Sequence, residues 1–317
     1  MAGYNTIRAF APATVANVAC GFDVFGLALE QPGDEVELTL NHTGRVIIRA
    51  ITGDNGCLPA EASRNTAGIA LLAMLQSVAS GLGAELVLHK KLPLGSGMGS
   101  SAASAVAALV AANASLGNPL SPRELIPFAL VAEQEACGAA HADNVAPALL
   151  GGFVLIRDAQ HGDMINIPVP PDLRCVVVHP HISINTRQAR QALRHYIRLS
   201  DATRQWANTA ALVAAMYEQN YELLSRALCD VVAEPVRSLF VPGFDRVKQA
   251  ALYAGALGCS LSGSGPSMFA LCRSEENGYQ VCRAMQQAFH DAGLPSDGFV
   301  SAVNTTGARV VNQEKTP

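Results

Sequence analysis

The chain has 317 residues, of which 50% are hydrophobic and 15% are charged, and this composition excludes a disordered protein. The length suffices for one large domain or two modest ones with a sizeable core. The formal net charge is −4 and no basic stripe is present, which argues against a nucleic-acid partner.

Targeting and redox signals are absent from the sequence. The first ten residues lack the pattern of a signal peptide, and the longest apolar run, residues 102–112, is too short to span a bilayer. The eight cysteines include no CxxC pair, so neither a cysteine metal site nor a disulfide framework is expected. We therefore expect a reduced, cytoplasmic protein with no membrane partner.

Residue patterns in the first half of the chain predict alternating strands and helices. Polar–apolar alternation predicts strands over residues 35–40, 45–51 and 85–91, and helical spacing predicts a helix over 66–80. Ser121, Pro122 and Glu124 form a capping-box signal for a further helix. That helix should end near Ala136, just before Gly138.

Glycines and prolines between residues 151 and 171 predict a boundary between a domain of residues 1–160 and one of residues 161–317. Beyond it, the patterns predict a strand over 173–179, helices over 186–199, 203–218, 221–232 and 243–255, strands over 259–261 and 268–272, and a helix over 278–291. Mixed elements in this order are typical of a two-domain α+β protein.

The segment Leu-Pro-Leu-Gly-Ser-Gly-Met-Gly-Ser-Ser-Ala-Ala-Ser, residues 92–104, carries the strongest chemical signal. Its three alternating glycines let backbone N–H groups turn toward one anion, and the following Ala-rich helix adds its positive N-terminal end. A triphosphate fits such a loop, and a serine hydroxyl at the helix start can reach Mg²⁺. The spacing matches neither a Walker A loop nor a Rossmann fingerprint.

This segment resembles the central motif of the GHMP kinases. Two further strings lie in the family's order, Ala-Pro-Ala-Thr-Val-Ala-Asn-Val-Ala-Cys-Gly-Phe-Asp at 11–23 and Leu-Ser-Gly-Ser-Gly-Pro-Ser-Met-Phe at 261–269. The first is similar to the homoserine kinases of that superfamily. The resemblance implies an α+β GHMP kinase fold, with an N-terminal domain like domain 2 of ribosomal protein S5 and a C-terminal ferredoxin-like domain.

The resemblance also implies where the nucleotide and the metal bind. The string His-Ala-Asp-Asn-Val-Ala-Pro at 141–147 is characteristic of homoserine kinases, in which the glutamate eight residues before the histidine binds magnesium. Glu133 occupies that position, and the nearby Glu135 serves as a comparison, a carboxylate on the same helix that the family pattern does not assign to the metal. Mg²⁺ is expected on Glu133 with Ser100 or Ser101. ATP is expected on Asn65, Lys91 (or Lys90), Pro93, Gly95, Ser96, Gly97, Gly99, Ser100 and Ser101.

Five residues are expected to hold the acceptor. By the same resemblance Asn17 and Asp23 contact it, and a carboxylate such as Asp23 suits an ammonium group. Arg190 and Arg237 match family strings at 186–190 and 230–237, and a guanidinium suits an α-carboxylate; the match favours Arg190 over Arg187. His141 completes this set.

The reaction expected from the resemblance is phosphorylation of L-homoserine by ATP in threonine biosynthesis, by a homodimer. Phosphoryl transfer needs positioning more than covalent help, so Asn144 is expected to orient the acceptor hydroxyl and Asp143 to support the site rather than act as a dedicated base. Two alternatives stay open. One is a GHMP kinase for another small hydroxylated metabolite, and the other is a non-catalytic ligand sensor of the same fold.

Overall fold

Eleven strands form two sheets within residues 4–314, the part of the chain that the computed structural model describes, apart from the side chains of residues 136, 137, 313 and 314. The strands are β1 (Thr6–Ala16), β2 (Phe25–Asn41), β3 (Val46–Thr52), β4 (Gly83–His89), β5 (Phe153–Asp158), β6 (Asp163–Ile167), β7 (Arg174–Pro180), β8 (Gly258–Leu261), β9 (Met268–Cys272), β10 (Ser296–Ala302) and β11 (Arg309–Glu314).

Most of the helices pack against strands of one sheet or the other. The helices are α1 (Thr66–Val78), α2 (Ser100–Ser115), α3 (Pro122–Cys137), α4 (Ala142–Leu150), α5 (Thr186–Gln191), α6 (Leu199–Glu218), α7 (Tyr221–Ala227), α8 (Glu234–Arg237), α9 (Phe244–Tyr253) and α10 (Glu275–Asp291). Together with the two sheets they confirm the predicted α+β class.

The first sheet has seven strands and runs β11-β1-β2-β4-β3, with β5 on the first part of β2 and β6 on β5. Its neighbours are antiparallel except β3 and β4, which are parallel. Alternate residues of β2, Val36, Leu38 and Leu40, are buried, because successive side chains of a strand face opposite sides. The predicted strand at 35–40 is therefore confirmed, within a longer one.

The predicted domain boundary between residues 160 and 161 falls inside the β5–β6 hairpin. Strand β6 pairs with β5 over Phe153↔Ile167 to Asp158↔Asp163, so residues 163–167 complete the first sheet. Strand β11 also belongs to that sheet through its pairing with β1. The chain thus leaves the first sheet after Ile167 and returns to it at Arg309, while the domain limits at 160 and 161 stay a prediction.

Helix α2 occupies the centre of the first half of the molecule. It packs against α1, α3, β1 and β2, and its run of alanines from Ala102 to Ala112 is buried. Small side chains allow neighbouring elements to approach this helix closely, which fixes its N-terminus at the end of the glycine-rich segment.

The second sheet is antiparallel and runs β10-β7-β9-β8. Helices α9 and α10 cover it, and Val247, Met285 and Phe289 of these helices join Val176 and Val178 of β7 in one core. The predicted strands at 173–179, 259–261 and 268–272 are confirmed.

Two helix predictions show what local signals can specify. At the start of α3, the Glu124 carboxylate accepts hydrogen bonds from the backbone N–H (2.8 Å) and hydroxyl (2.7 Å) of Ser121, and Gly138 ends the helix with φ 76°. The predicted helix over 186–199 is wrong for residues 192–198, which lie between the end of α5 and the start of α6. Tyr196 and Ile197 of this stretch are exposed, so it buries no large apolar side chain that would stabilise a helix. No helix in residues 4–314 combines the length and apolarity that crossing a membrane requires.

Candidate active site

A cavity of about 310 Å³ lies where the first half of the chain meets the second. The three predicted motifs, the α3–α4 region and α5 surround it. Its walls are Ala16, Asn17, Asp23, Leu58, Pro59, Arg64, Asn65, Thr66, Lys90, Leu94, Gly95, Ser96, Gly97, Gly99, Ser100, Ser101, Ser104, Glu133, His141, Asp143, Asn144, Thr186, Arg190, Arg237, Gly263 and Ser264.

The glycine-rich segment before α2 forms one wall. Gly95, Gly97 and Gly99 have φ of 65°, 83° and 70°, a conformation that favours glycine. At Gly97 a Cβ would lie 2.4 Å from the carbonyl oxygen of Ser262. The segment therefore needs glycine there both for its backbone and for its packing against the third motif.

The third motif holds this segment in place through hydrogen bonds. Ser262 Oγ donates to the Gly97 carbonyl at 2.7 Å, and the Ser267 N–H donates to the Ser96 carbonyl at 3.1 Å. Gly263 and Ser264 also line the cavity. The motif thus closes on the glycine-rich segment.

A hydroxyl and a carboxylate meet at the start of α2. Ser101 Oγ donates a hydrogen bond to Glu133, whose other carboxylate oxygen lies 3.2 Å from His141 Nδ1. Glu133 is 2% exposed, whereas Glu135 faces outward. The Ser100 hydroxyl turns instead to the Leu92 carbonyl at 3.4 Å. Of the two serines, Ser101 lies beside the carboxylate.

These oxygens fit a magnesium ion. Mg²⁺ prefers hard oxygen ligands and usually takes only one or two from protein, the rest coming from phosphates and water. Within the described residues no group of three His, Cys, Asp or Glu side chains could form a metal cluster. A site on Ser101 and Glu133 suits an ion that takes its other ligands from a nucleotide and water.

The two adjacent lysines occupy different environments. Lys90 lines the cavity and is buried, and its ammonium donates to Asp34, to the Ser100 carbonyl at 2.9 Å and to Ser104 Oγ at 2.7 Å. Burial lowers the pKa of Lys90, and the Asp34 carboxylate opposes that shift. Lys91, the residue expected at the nucleotide, is exposed, pairs with Glu35 and does not line the cavity.

Asn65 lines the cavity with its side-chain amide already engaged. Nδ2 donates to the Pro59 carbonyl at 3.0 Å, and Oδ1 accepts from Ala67 N–H at 3.1 Å, capping α1. Asn65 thus ties the Leu58–Pro59 wall to the start of α1. The structure does not bring the expected Pro93 to the cavity.

Opposite charges gather at the other end of the cavity. Arg190 Nη1 and Nη2 lie 3.1 and 2.5 Å from the two Asp23 carboxylate oxygens. Arg237 is 4% exposed and donates to the Gly263 carbonyl at 3.1 Å, while its Nε has no hydrogen-bond partner in the described structure. Both guanidinium groups lie over the Phe22 ring, 5.5 and 5.1 Å from its centre. A buried guanidinium with an unused N–H group fits an incoming anion.

Asn17 links the first and third motifs at this end. Its Nδ2 donates to the Gly263 carbonyl at 2.9 Å, and its Oδ1 accepts from the Asp23 N–H at 3.0 Å. Asn17 lines the cavity, so it fixes the backbone beside Asp23 and also faces the space where an acceptor would lie.

Asp143 and Asn144 lie between the two ends of the cavity. Asp143 is 3% exposed, and burial together with the nearby Asp23 charge raises its pKa to about 6. The Thr14 hydroxyl donates to Asn144 Oδ1 at 2.7 Å, which leaves the amide Nδ2 as the donor for a ligand. Thr14, Phe22 and Asp34 were missed by sequence reasoning, although Thr14 and Phe22 stand within the first motif.

Comparison with known proteins identifies the family. A family model described as the GHMP kinases N terminal domain matches residues 65–152, and one described as GHMP kinases C terminal matches residues 212–291. The homoserine kinase of Chlorobium phaeobacteroides is 50% identical over 97% of this chain and 100% of its own. That of Xylella fastidiosa is 43% identical over 96% and 94%.

Solved structures agree with the sequence comparison. The crystal structure of homoserine kinase from Cytophaga hutchinsonii superposes with a TM-score of 0.94, at 50% identity, over 96% of this chain and 97% of that one. A mevalonate kinase from L. major, at 16% identity and a TM-score of 0.69, shares the fold. The three motifs, the cavity that they line and these relatives lead to one conclusion: the chain belongs to the homoserine kinases of the GHMP kinase family.

Proposed function

We propose that this protein transfers the γ-phosphoryl group of ATP to the side-chain hydroxyl of L-homoserine, giving O-phospho-L-homoserine and ADP. One observation carries the proposal: a single cavity has the Ser101–Glu133 pair and a glycine-rich anion site at one end, and the Asp23–Arg190–Arg237 charges at the other. A phosphoryl donor and a zwitterionic acceptor can therefore bind side by side.

The acceptor end suits an amino acid. The Asp23 carboxylate would take the ammonium group, and Arg190 and Arg237 would take the α-carboxylate. When a zwitterion enters, the Asp23–Arg190 pair is exchanged for two pairs with the ligand, so neither protein charge is left without a partner.

The nucleotide end suits ATP. The backbone from Gly95 to Gly99 and the N-terminus of α2 would hold the phosphates, and Lys90, through its bonds to Asp34 and to the Ser100 carbonyl, would hold the start of α2 in place. Leu58 and Pro59 give an apolar wall for the base side of the nucleotide. Ser101 and Glu133 would hold Mg²⁺, which offsets charge on the β- and γ-phosphate oxygens.

Transfer requires the acceptor hydroxyl to lie in line with the γ-phosphorus. Asn144 Nδ2 orients this hydroxyl, and the Thr14 hydroxyl, by donating to Asn144 Oδ1, keeps the amide turned with Nδ2 toward the acceptor. As the new O–P bond forms, the bond to the ADP oxygen breaks and the acceptor proton passes to the transferred phosphoryl group. Asp143, close to Asp23 and Arg190, balances the charges of the acceptor end rather than removing that proton.

Two alternative functions differ in what they leave unpaired. A kinase for a hydroxylated metabolite without ammonium and carboxylate groups would leave Asp23 and Arg237 without ligand partners. A sensor without turnover would have no need of the buried Ser101–Glu133 pair.

By the same family relationship we place the reaction in threonine biosynthesis and in the cytoplasm. We also propose that the protein is a homodimer, which sedimentation velocity tests directly.

A coupled ADP-release assay tests the proposal. The substrates are L-homoserine, L-serine, L-threonine, mevalonate and galactose, each with ATP and Mg²⁺. We expect turnover with L-homoserine well above that with the others, and phosphorus NMR should identify O-phosphohomoserine. Preferred turnover of an uncharged or non-amino acceptor would favour the first alternative, and ATP binding without turnover of any acceptor would favour the second.

A further inference from the structure

The loop that carries Asn17 and Asp23 has an unfavourable backbone. Asn17, Val18 and Ala19 are consecutive and have φ of 70°, 42° and 60°. Positive φ is unfavourable for any residue with a Cβ, and most so for a β-branched one such as Val18. Contacts from outside the loop must therefore hold it in this shape.

Helix α6 supplies two of these contacts, at the residue that follows the strained run. The Cys20 carbonyl accepts hydrogen bonds from Gln205 Nε2 and from Thr209 Oγ1, both at 3.0 Å. Cys20 is 2% exposed, so water has little access to replace either donor.

The same glutamine also binds the segment that leads to Arg237. Gln205 Nε2 donates to Asp230 Oδ1 at 2.9 Å, and Gln205 Oε1 accepts from the Val231 N–H at 3.0 Å. The Asp230 carboxylate in turn accepts from the backbone N–H groups of the next turn, at Val232, Ala233 and Glu234. This turn starts α8, the helix that ends with Arg237.

We propose that Gln205 is a positioning residue for the acceptor. It ties the loop with Asp23 to the turn with Arg237 and so fixes the separation between the carboxylate and guanidinium groups assigned to the two ends of the zwitterion. Gln205 does not line the cavity and acts through these neighbours. The inference rests on the proposed function, and it adds a residue that none of the three motifs contains.

Gln205→Met tests it, because methionine keeps the length of the side chain and removes its hydrogen-bonding groups. We expect the KM for homoserine to rise about tenfold, the effect of losing a buried hydrogen-bonded link. The ATP dissociation constant and kcat should change less than about twofold, since the glycine-rich segment makes none of these contacts. A merely structural role would lower stability without this separation of KM from kcat.

Asn208→Leu is the matched control on the same helix. Asn208 Nδ2 donates to the Cys229 carbonyl at 2.8 Å, so its loss removes an amide–backbone bond that does not reach Cys20. Its homoserine KM should stay normal. An equal rise in both variants, or a normal KM in Gln205→Met, would overturn the inference.

Gln205→Glu decides the question if Gln205→Met does not fold. It keeps the side-chain length and the acceptor for the Val231 N–H but removes the Nε2 donor to Cys20 and Asp230; a raised homoserine KM supports the inference and a normal one overturns it. Wild-type protein without homoserine turnover would overturn the proposed function, and this inference with it. Active wild-type protein with a normal KM in the variants would overturn this inference alone.

Discussion

Ser101, in the first turn of α2, donates a hydrogen bond to Glu133, near the end of α3. The two residues are 32 positions apart, and the contact places a buried carboxylate at the N-terminus of the helix that follows the glycine-rich segment. A buried carboxylate with a hydroxyl partner is poised for a cation that also binds phosphate oxygens.

Glu133→Gln should lower kcat about 100-fold or more, because charge stabilisation linked to a metal contributes several kcal/mol to the transition state. Glu135→Gln makes the same change of charge on an exposed side chain two residues away and should stay within about twofold. Steady-state kinetics over a magnesium titration measure both. Similar losses in the two variants would show that Glu133 is not a magnesium ligand.

Arg237→Leu should raise the homoserine KM by roughly 30- to 4,000-fold, the effect of removing one partner of a desolvated charge pair. Arg190→Leu should act in the same direction but less, because the Arg190 side chain is 38% exposed. Arg187→Leu, on the same helix α5 but outside the cavity, is the control and should keep a normal KM. Nucleotide affinity, measured by calorimetry, should be unchanged in all three; a normal KM in Arg237→Leu contradicts the assignment.

Lys90→Met should lower the free energy of unfolding by about 3–5 kcal/mol, because it leaves the buried Asp34 carboxylate without its cation, and should weaken ATP binding. Lys91→Met removes an exposed ion pair with Glu35 and should change stability by less than about 1 kcal/mol. Urea unfolding and ATP titration of both variants separate the two lysines. A larger loss of ATP affinity in Lys91→Met than in Lys90→Met would instead assign Lys91 to the nucleotide site.

Asp143→Asn should change how stability depends on pH. In the folded protein the pKa of Asp143 is raised from 3.8 to about 6, so the native state binds this proton more tightly than the unfolded state. The resulting stabilisation is present below about pH 4 and is lost as pH rises through 6. The variant has no charge to bury, so its stability relative to wild type should increase between pH 4 and 7, by on the order of 3 kcal/mol. Urea unfolding at five pH values measures the difference in unfolding free energy between the variant and the wild type. A difference that does not change with pH would contradict the prediction.

The sequence predicted the parts of the site that local patterns or family strings encode. The glycine-rich segment and the capped start of α3 follow from residue spacing along the chain, whereas the choice of Glu133 over Glu135 came from the resemblance to a family string. Arg190 and Arg187 could be told apart only by a family string, and the structure brings Arg190 to the cavity.

The rest depended on tertiary contacts. Lys90 continues the buried face of β4, which carries Leu86 and Leu88. A lysine on that face needs a buried partner, and the partner is Asp34 of β2, a residue without any motif of its own. Gln205 has no local signal either, because its role consists of bonds to Cys20 and Asp230, which are far from it in sequence.

Strand β11 has a consequence for synthesis of the chain on the ribosome. It pairs with β1 from Thr6↔Glu314 to Phe10↔Arg309, so this edge of β1 is covered only after residues 309–314 have been made. Until then β1 presents an unpaired edge on which another nascent chain could add. We therefore expect the first sheet to stay open at this edge when only the first 160 residues have been synthesised.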